Sequence, residues 1–151
     1  MAGAAACLAT LLPATVLLGG CSPDAVEVDA PTRGPAACHA LVRALPDTVD
    51  GQRRRDVEPP DALAAAWGDP AIVVRCGVPT PAALTASSPC AEVDGVGWFA
   101  DQRADAYRFT TIGRVSNVQV QVPYDYQPAA DALVDLAPAV RRQVPEQRPC
   151  V

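Results

Sequence analysis

The feature that most constrains the fold of this chain is a strict alternation of valine with polar residues near its C-terminal end. Residues 117–122 read NVQVQV. Because successive side chains of a strand point to opposite faces, this pattern predicts a β-strand with one face in a core and the other in solvent. Such a strand needs neighbouring strands and a layer that covers its apolar face. The chain is therefore expected to contain a sheet covered on one side.

Three further segments carry strand signals. Residues 71–75 (AIVVR) are a short, apolar, β-branched run, which is typical of a buried strand. Asp94-Gly95 separates two short apolar runs and suits a two-residue hairpin turn, since both turn positions favour positive φ. Aromatic and polar residues alternate over 107–111, and Ile112-Gly113 is predicted to turn the chain into the valine strand.

Helical spacing of apolar residues predicts the remaining elements. One helix starts near Pro35 and ends before Pro46; a short one covers residues 61–67; the last covers 129–140. Polar composition predicts loops over 47–60 and 77–91. The order of elements predicts an α+β fold: a two-layer sandwich in which a small antiparallel sheet of about four strands carries helices on one face.

The N-terminal residues predict export and lipid anchoring. Residues 2–20 form an uncharged apolar run that Pro13 interrupts. The run ends in Leu18-Gly19-Gly20-Cys21, an aliphatic residue, two small residues and cysteine, as in the lipobox of bacterial lipoproteins. The pattern predicts cleavage before Cys21 and acylation of its thiol, with about 0.8 kcal/mol of membrane binding per buried methylene. The alternative is an uncleaved membrane anchor with an incidental cysteine.

This reading divides the chain into three parts. Residues 1–20 are expected to be a signal peptide, 21–35 the lipidated cysteine and a flexible, polar tether, and 36–151 a single globular domain. The expected location is the extracytoplasmic face of a cell membrane. The net charge is −5, and non-specific nucleic-acid binding requires clustered cations, so no nucleic-acid partner is expected.

The six cysteines divide by role. Cys7 lies in the leader and Cys21 is the lipid site, which leaves Cys38, Cys76, Cys90 and Cys150. Four thiols in an exported domain most often form two disulfides. None has the Cys-x-x-Cys spacing that zinc sites and redox motifs use, so no metal is expected.

Few residues suggest catalysis. His39 is the only histidine, and we interpret it as a surface residue of the first helix. Phosphate-binding glycine loops, serine-hydrolase elbows and HExxH motifs are absent from the sequence, so no cofactor is expected. Carboxylates are plentiful, and any two at a suitable separation would serve a glycosidase. The candidate acids for such a pair are Asp47, Asp50, Asp94, Asp101 and Asp105.

A few residues are candidates for binding or for structural roles. Trp67 and Trp98 are of a type that stacks on sugars, but their apolar surroundings favour core or rim packing. Residues 53–55, three consecutive arginines, are interpreted as a solvated loop balanced by nearby acids rather than a phosphate site. Arg75 and Arg114 lie at strand ends, and we expect them to pair with Asp69 and so fix the neighbouring loops.

Several of these strings together resemble a known family. The most specific is WGDPAIVVRCGVP at residues 67–79; Cys38 with Leu45-Pro46, Gly113-Arg114 and the valine strand through Pro123 also match. Over about residues 36 to 143 the chain resembles the actinobacterial family called domain of unknown function 3515. The resemblance implies an exported protein or lipoprotein. It implies no activity.

We predict the disulfides Cys38–Cys76 and Cys90–Cys150. Cys38 lies on the apolar stripe of the first helix, and Cys76 ends a buried strand on which that helix can pack. The second bridge would hold a C-terminal tail that has little else to retain it. Cys76–Cys90 with Cys38–Cys150 is the alternative; the family resemblance favours the first pairing slightly, because Cys38 and Cys76 lie in its recognisable strings.

Two functions from different classes remain open on the sequence. The first is a non-catalytic envelope lipoprotein that binds an envelope protein or a wall polymer, or serves a membrane machine as an accessory. The second is an enzyme that processes cell-wall polymers with paired carboxylates. A deep cleft with convergent acids whose pKa values are perturbed would favour the enzyme, and a shallow patch lined by aromatic residues or arginine would favour the binding module.

Overall fold

The alternating valines lie at the centre of the main sheet in the computed structural model, which describes residues 25–150. In chain order the elements are β1 (Val26–Glu27), α1 (Ala36–Ala44), β2 (Thr48–Val49), β3 (Gln52–Arg55), β4 (Val57–Glu58), β5 (Ala64–Trp67), β6 (Ile72–Cys76), β7 (Ala91–Val93), β8 (Val96–Gln102), β9 (Ala106–Thr111), β10 (Val118–Pro123) and α2 (Ala130–Gln143). The fold is α+β, with two helices and one large antiparallel sheet.

Eight strands form this sheet in the order β2-β3-β5-β6-β10-β9-β8-β7. Neighbouring strands are antiparallel throughout. A separate parallel pair joins β1 to β4. Because β6 and β10 are the middle strands, their side chains lie at the centre of both faces of the sheet.

One face of the sheet, which we call the inner face, carries both helices. The valines at 118, 120 and 122 are fully buried there, as the alternation predicts. Leu41 of α1 and Leu133 and Leu136 of α2 pack in the same core, and the two helices contact each other. Burial of apolar side chains stabilises this arrangement by roughly 1.5–3 kcal/mol for each large side chain. Helices on one face confirm the sequence prediction.

The opposite face, the outer face, is covered only in part. Ala64, Ala66 and Val73 point outward and pack under Val28 of the N-terminal segment. The small alanines leave room for this segment, whose backbone also bonds to β4 through Val28 N–H and the Glu58 carbonyl oxygen at 2.9 Å. Residues 26–30 thus form a partial third layer on the outer face.

The expected sheet of about four strands is corrected to eight. Two of the additional strands, β2 and β3, lie in the predicted loop 47–60, and β5 replaces the predicted helix 61–67. Alanine favours helices, but every residue of β5 is buried between two layers, and tertiary packing overrides that propensity. Asp50-Gly51 turns β2 into β3 with φ of 48° and 70°, the same kind of two-residue Asp-Gly turn that the sequence predicts at Asp94-Gly95.

The predicted flexible tether is also corrected. β1 pairs with β4, and Val28 is 6% exposed, so the chain is held against the folded domain already at residues 26–28. The reason is that Val26 and Val28 alternate with acids and supply an apolar face to the alanines of the outer face. The predicted signal peptide and Cys21 lie outside the described residues. No helix within residues 25–150 is long and apolar enough to cross a membrane.

Candidate functional site

Two arginines and two glutamines form a polar patch in the middle of the outer face. In the sheet register Arg75 of β6 lies opposite Gln119 of β10, and Gln121 of β10 lies opposite Arg108 of β9. The four side chains therefore occupy two adjacent rows on one face. Arg75 donates from Nη1 to Gln121 Oε1 at 3.5 Å, at the long limit of a hydrogen bond. We call this patch and the space above it the arginine groove.

Rigid backbone segments form the walls of the arginine groove, whose volume is about 610 Å³. Residues 29–31 of the N-terminal segment form one wall, and residues 78–81 form the other. Asn117 holds the second wall, because its Nδ2 donates to the Val78 carbonyl oxygen at 3.1 Å and to Thr80 Oγ1 at 3.0 Å. Proline at 31, 79 and 81 restricts both walls further.

The arginine groove is positively charged although the chain is acidic. No carboxylate within the described part of the chain lies within ion-pairing distance of Arg75 or Arg108. Asp101 faces Arg108 across the strands but pairs with Arg103 at 3.1 Å. Burial lowers the pKa of Arg75, the nearby Arg108 lowers it further, and the exposed Asp29 opposes the shift. Two like charges are thus held close together without a matching anion.

A second groove, of about 570 Å³, lies under the loop of residues 80–88 and the C-terminal tail 147–149. Its floor includes Thr111 and Arg114. Arg114 is 9% exposed and is used by the fold: it donates to the Gly95 carbonyl oxygen at 2.8 Å and to the Val144 carbonyl oxygen at 3.2 Å. Its role in the described structure is to hold the hairpin turn and the end of α2.

The expected pairing of Arg75 and Arg114 with Asp69 is wrong. Arg114 lies 3.5 Å from Glu146, whereas Asp69 lies 3.9 Å from Arg55 and its side chain is 91% exposed. Asp69 follows β5, and the sheet order places β5 and the turn after it far from the loop that holds Arg114. Arg75 was singled out from the sequence; Arg108 was not, although its place on the polar side of the 107–111 alternation marks it as outward-facing.

The tryptophans and the arginine run are structural. Trp67 and Trp98 are both fully buried, in agreement with core packing and not with sugar stacking. Trp67 Nε1 donates to the Pro46 carbonyl oxygen at 3.0 Å, and the Arg54 guanidinium lies 5.7 Å from its ring centre. The arginines at 53–55 belong to β3 and not to a solvated loop, which corrects that interpretation. These arginines are part of the sheet because β3 pairs with β5.

Both predicted disulfides are present. Cys38–Cys76 joins α1 to the end of β6 with Cα atoms 5.4 Å apart, and Cys90–Cys150 joins the start of the hairpin to the tail at 5.8 Å. In the chain-entropy account, loops of 38 and 60 residues correspond to about 4 kcal/mol of stabilisation each. The alternative pairing is excluded.

The acids named from the sequence are dispersed. Asp94 lies 3.5 Å from Arg141, and Asp101 pairs with Arg103. Asp50 is nearest to other acids: its N–H donates to Asp135 Oδ2 at 2.8 Å, and its pKa is raised by partial burial, by Asp131 and by Asp135. No group of three potential metal ligands occurs among residues 25–150. His39 is exposed on α1, as predicted.

Comparison with known proteins gives one match. The family model described as protein of unknown function (DUF3515) matches residues 2–149, almost the whole chain. The chain belongs to the DUF3515 family. Searches of curated proteins and of solved structures found no match. The most specific string of the DUF3515 resemblance, residues 67–79, contains β6 with Arg75 and the first two residues of one wall of the arginine groove, Val78 and Pro79. The DUF3515 match thus covers every residue of the candidate site and assigns none of them a role.

Proposed function

We propose that the protein is an envelope lipoprotein that is exported, cleaved before Cys21 and anchored by lipid, and that its folded part is a non-catalytic binding or accessory module. The observation that carries the proposal is the pair of disulfides, Cys38–Cys76 and Cys90–Cys150. Disulfides of this structural kind form and persist in oxidising compartments outside the cytoplasm. The lipobox ending in Cys21 supplies the means of retention at the membrane.

The position of the N-terminal segment supports close attachment to a membrane. Since pairing of β1 with β4 holds the chain from Val26, the five residue steps from Cys21 to this point can span at most about 17 Å. This distance is far shorter than the full length of the expected tether. The module is therefore held close to the lipid surface, with the N-terminal edge of the outer face nearest the anchor.

The side chains that line the arginine groove favour binding over catalysis. Its floor offers guanidinium and amide groups on neighbouring strands, which recognise ligands by charge and hydrogen bonds. The acids that approach one another, Asp50 with Asp131 and Asp135, are at the tip of a turn and the start of α2. The partner class that we propose is an envelope component that carries anionic groups.

Metabolic labelling with a fatty-acid analogue tests the anchoring. Cys21→Ser should abolish the label, and the precursor should stay unprocessed or the folded part should be released from the membrane. Cys7→Ser is the matched control, because it removes a nearby thiol, from the expected signal peptide, and should leave labelling unchanged. Unchanged mass and membrane retention of Cys21→Ser would show that the uncleaved anchor is correct and that the lipoprotein proposal is wrong.

A further inference from the structure

We propose that the arginine groove is a binding site for a phosphate group, held between Arg75 and Arg108. The two arginines stand on either side of β10, one on β6 and one on β9. Gln119 and Gln121 of β10 form the floor between them. The site itself does not depend on the anchoring at Cys21; only the suggestion below of a lipid as the source of phosphate rests on the proposed function.

The first support for the site is that Arg75 and Arg108 have N–H donors in the groove without acceptors. A guanidinium carries five N–H donors in a rigid plane, and buried donors are nearly always satisfied. Arg108 Nε is buried and has no hydrogen-bond partner within residues 25–150. Arg75 has one long hydrogen bond, to Gln121. An acceptor with several oxygens placed between the two side chains would satisfy both.

The second support is electrostatic. Arg75 and Arg108 repel one another, and each is left without an ion pair by the described carboxylates. Asp29, the one acid that lines the arginine groove, is exposed and lies beyond ion-pairing distance of both arginines. The chain elsewhere is acidic, with net charge −5. A bound anion would replace the repulsion with two charge-assisted contacts.

The shape of the site favours phosphate over a planar carboxylate. The guanidiniums belong to strands on opposite sides of β10, so they approach a ligand from two sides, and the glutamine amides lie below it. A tetrahedral phosphate presents oxygens in all of these directions and can be held by two arginine forks at once. Walls held by Asn117 and by prolines keep this arrangement formed before the ligand arrives.

The phosphate has two potential sources that share this chemistry, a phospholipid headgroup and a free phosphate compound. Asp29 to Pro31 form one wall of the arginine groove, only eight residues beyond Cys21 at the start of that wall. If Cys21 is anchored, this wall lies within about 26 Å of the lipid surface. The test therefore includes one arm for each source.

The test titrates inorganic phosphate into the purified full-length chain in a non-ionic detergent and measures binding by calorimetry. Sodium chloride at matched ionic strength is the control for general screening. Arg75→Gln and Arg108→Gln should each weaken phosphate binding by at least about tenfold, the effect of losing one charge-assisted contact. Arg141→Gln removes the same charge from α2, on the other face of the sheet, and should leave the affinity within about twofold.

Gln121→Glu keeps the proposal testable if an arginine variant fails to fold. It places a carboxylate between Arg75 and Arg108, where we infer that the ligand's charge is needed. This variant should melt at a higher temperature than the wild type and should no longer bind phosphate. A lower melting temperature together with unchanged phosphate binding would overturn the proposal.

Vesicles separate the two sources. The wild type, Arg108→Gln and Arg141→Gln are each mixed with vesicles of phosphatidylglycerol or phosphatidylcholine. The vesicles are then sedimented with and without inorganic phosphate, and the bound protein is measured. If Arg108→Gln loses vesicle binding and Arg141→Gln keeps it, the phosphate source is the lipid headgroup. If Arg108→Gln weakens only the calorimetric binding of phosphate, the source is a free phosphate compound. Either result supports the site. Absence of binding in both arms, or loss that is equal for Arg108→Gln and Arg141→Gln, overturns it. The calorimetric readout does not depend on whether Cys21 carries lipid. The vesicle readout is the difference between Arg108→Gln and Arg141→Gln, to which an anchor at Cys21 contributes equally.

Discussion

Arg114 and Glu146 are joined both through their backbones and through their side chains. An isolated antiparallel bridge pairs the two residues, and the Arg114 guanidinium lies 3.5 Å from the Glu146 carboxylate. The Arg114 side chain is 3% exposed, whereas that of Glu146 is 44% exposed. The loop after β9 is thereby fixed to the segment after α2, and the buried arginine is the centre of this connection.

Arg114→Ala should lower the free energy of unfolding by about 2–4 kcal/mol. The substitution leaves the carbonyl oxygens of Gly95 and Val144 without their charged donor in a buried place. Urea unfolding followed by far-UV circular dichroism measures the change.

Arg141→Ala is the matched control for this variant. Arg141 also lies 3.5 Å from a carboxylate, that of Asp94, but both side chains are nearly half exposed. Its loss should cost less than about 0.5 kcal/mol, since exposed ion pairs contribute little. Equal effects of the two substitutions would contradict the structural role of Arg114.

Gly113→Ala should destabilise the protein by about 3 kcal/mol or more. Gly113 has φ of 69°, and an added Cβ would overlap the Arg148 carbonyl of the C-terminal tail. The Gly113 carbonyl oxygen also accepts hydrogen bonds from the N–H groups of Gln147 at 2.7 Å and Arg148 at 3.0 Å. Displacing the tail would weaken both bonds in addition to the backbone cost of positive φ.

Gly51→Ala separates these two contributions. Gly51 has φ of 70°, but nothing lies within 4 Å of an added Cβ. It should cost only the backbone term, about 1–2 kcal/mol. Both variants are measured by thermal unfolding under non-reducing conditions. If Gly113→Ala is no worse than Gly51→Ala, the contact between the tail and Gly113 is not as described.

Trp67→Phe should cost about 1–2 kcal/mol more than Trp98→Phe. Both indoles are fully buried, so the loss of volume is similar. Trp67 Nε1 donates to the Pro46 carbonyl oxygen, whereas Trp98 Nε1 is buried without a hydrogen-bond partner in the described structure. Trp67→Phe therefore removes an existing hydrogen bond, whereas Trp98→Phe removes a buried donor that has no acceptor. Chemical denaturation of both variants checks the order, and a larger cost at Trp98 would refute it.

Asp50→Asn should stabilise the protein near neutral pH, by on the order of 0.5 kcal/mol. Partial burial and the charges of Asp131 and Asp135 raise the pKa of Asp50 above its ordinary value of 3.8. The folded state therefore binds the Asp50 proton more tightly than the unfolded state, and the free energy of unfolding falls as pH rises through the interval between the two pKa values.

The gain from Asp50→Asn should accordingly be fully present above that interval, shrink as pH falls through it, and be lost below the ordinary value of 3.8. Asp94→Asn is the control, because Asp94 has a similar φ of 44° but attracts Arg141. It should give no gain at neutral pH. Unfolding measured between pH 3 and 7 distinguishes the two, and a pH-independent gain at Asp50 would indicate a backbone effect instead.

Local sequence patterns predicted much of the fold because their physical cause is local. Alternation identified β10, and the prolines at 35 and 46 delimited α1. The Asp94-Gly95 pair has the positive φ values that its residue types favour. The disulfides followed from placing Cys38 on the apolar side of a helix and Cys76 at the end of a buried strand, since packing the two elements brings the cysteines together.

The sequence by itself determined the α+β class, the central strands and the helices at each end, because alternation, helical spacing and turn chemistry act between near neighbours. It favoured the observed cysteine pairing, but the structure decided between that pairing and the alternative. Only the tertiary structure decided that three alanines and Trp67 form β5, that residues 26–31 pack on the outer face, and that Arg75 and Arg108 lie on either side of β10. Those outcomes depend on strand order and register, which join residues far apart in the chain. A short polar or alanine-rich segment contains no local signal of which strand will lie beside it.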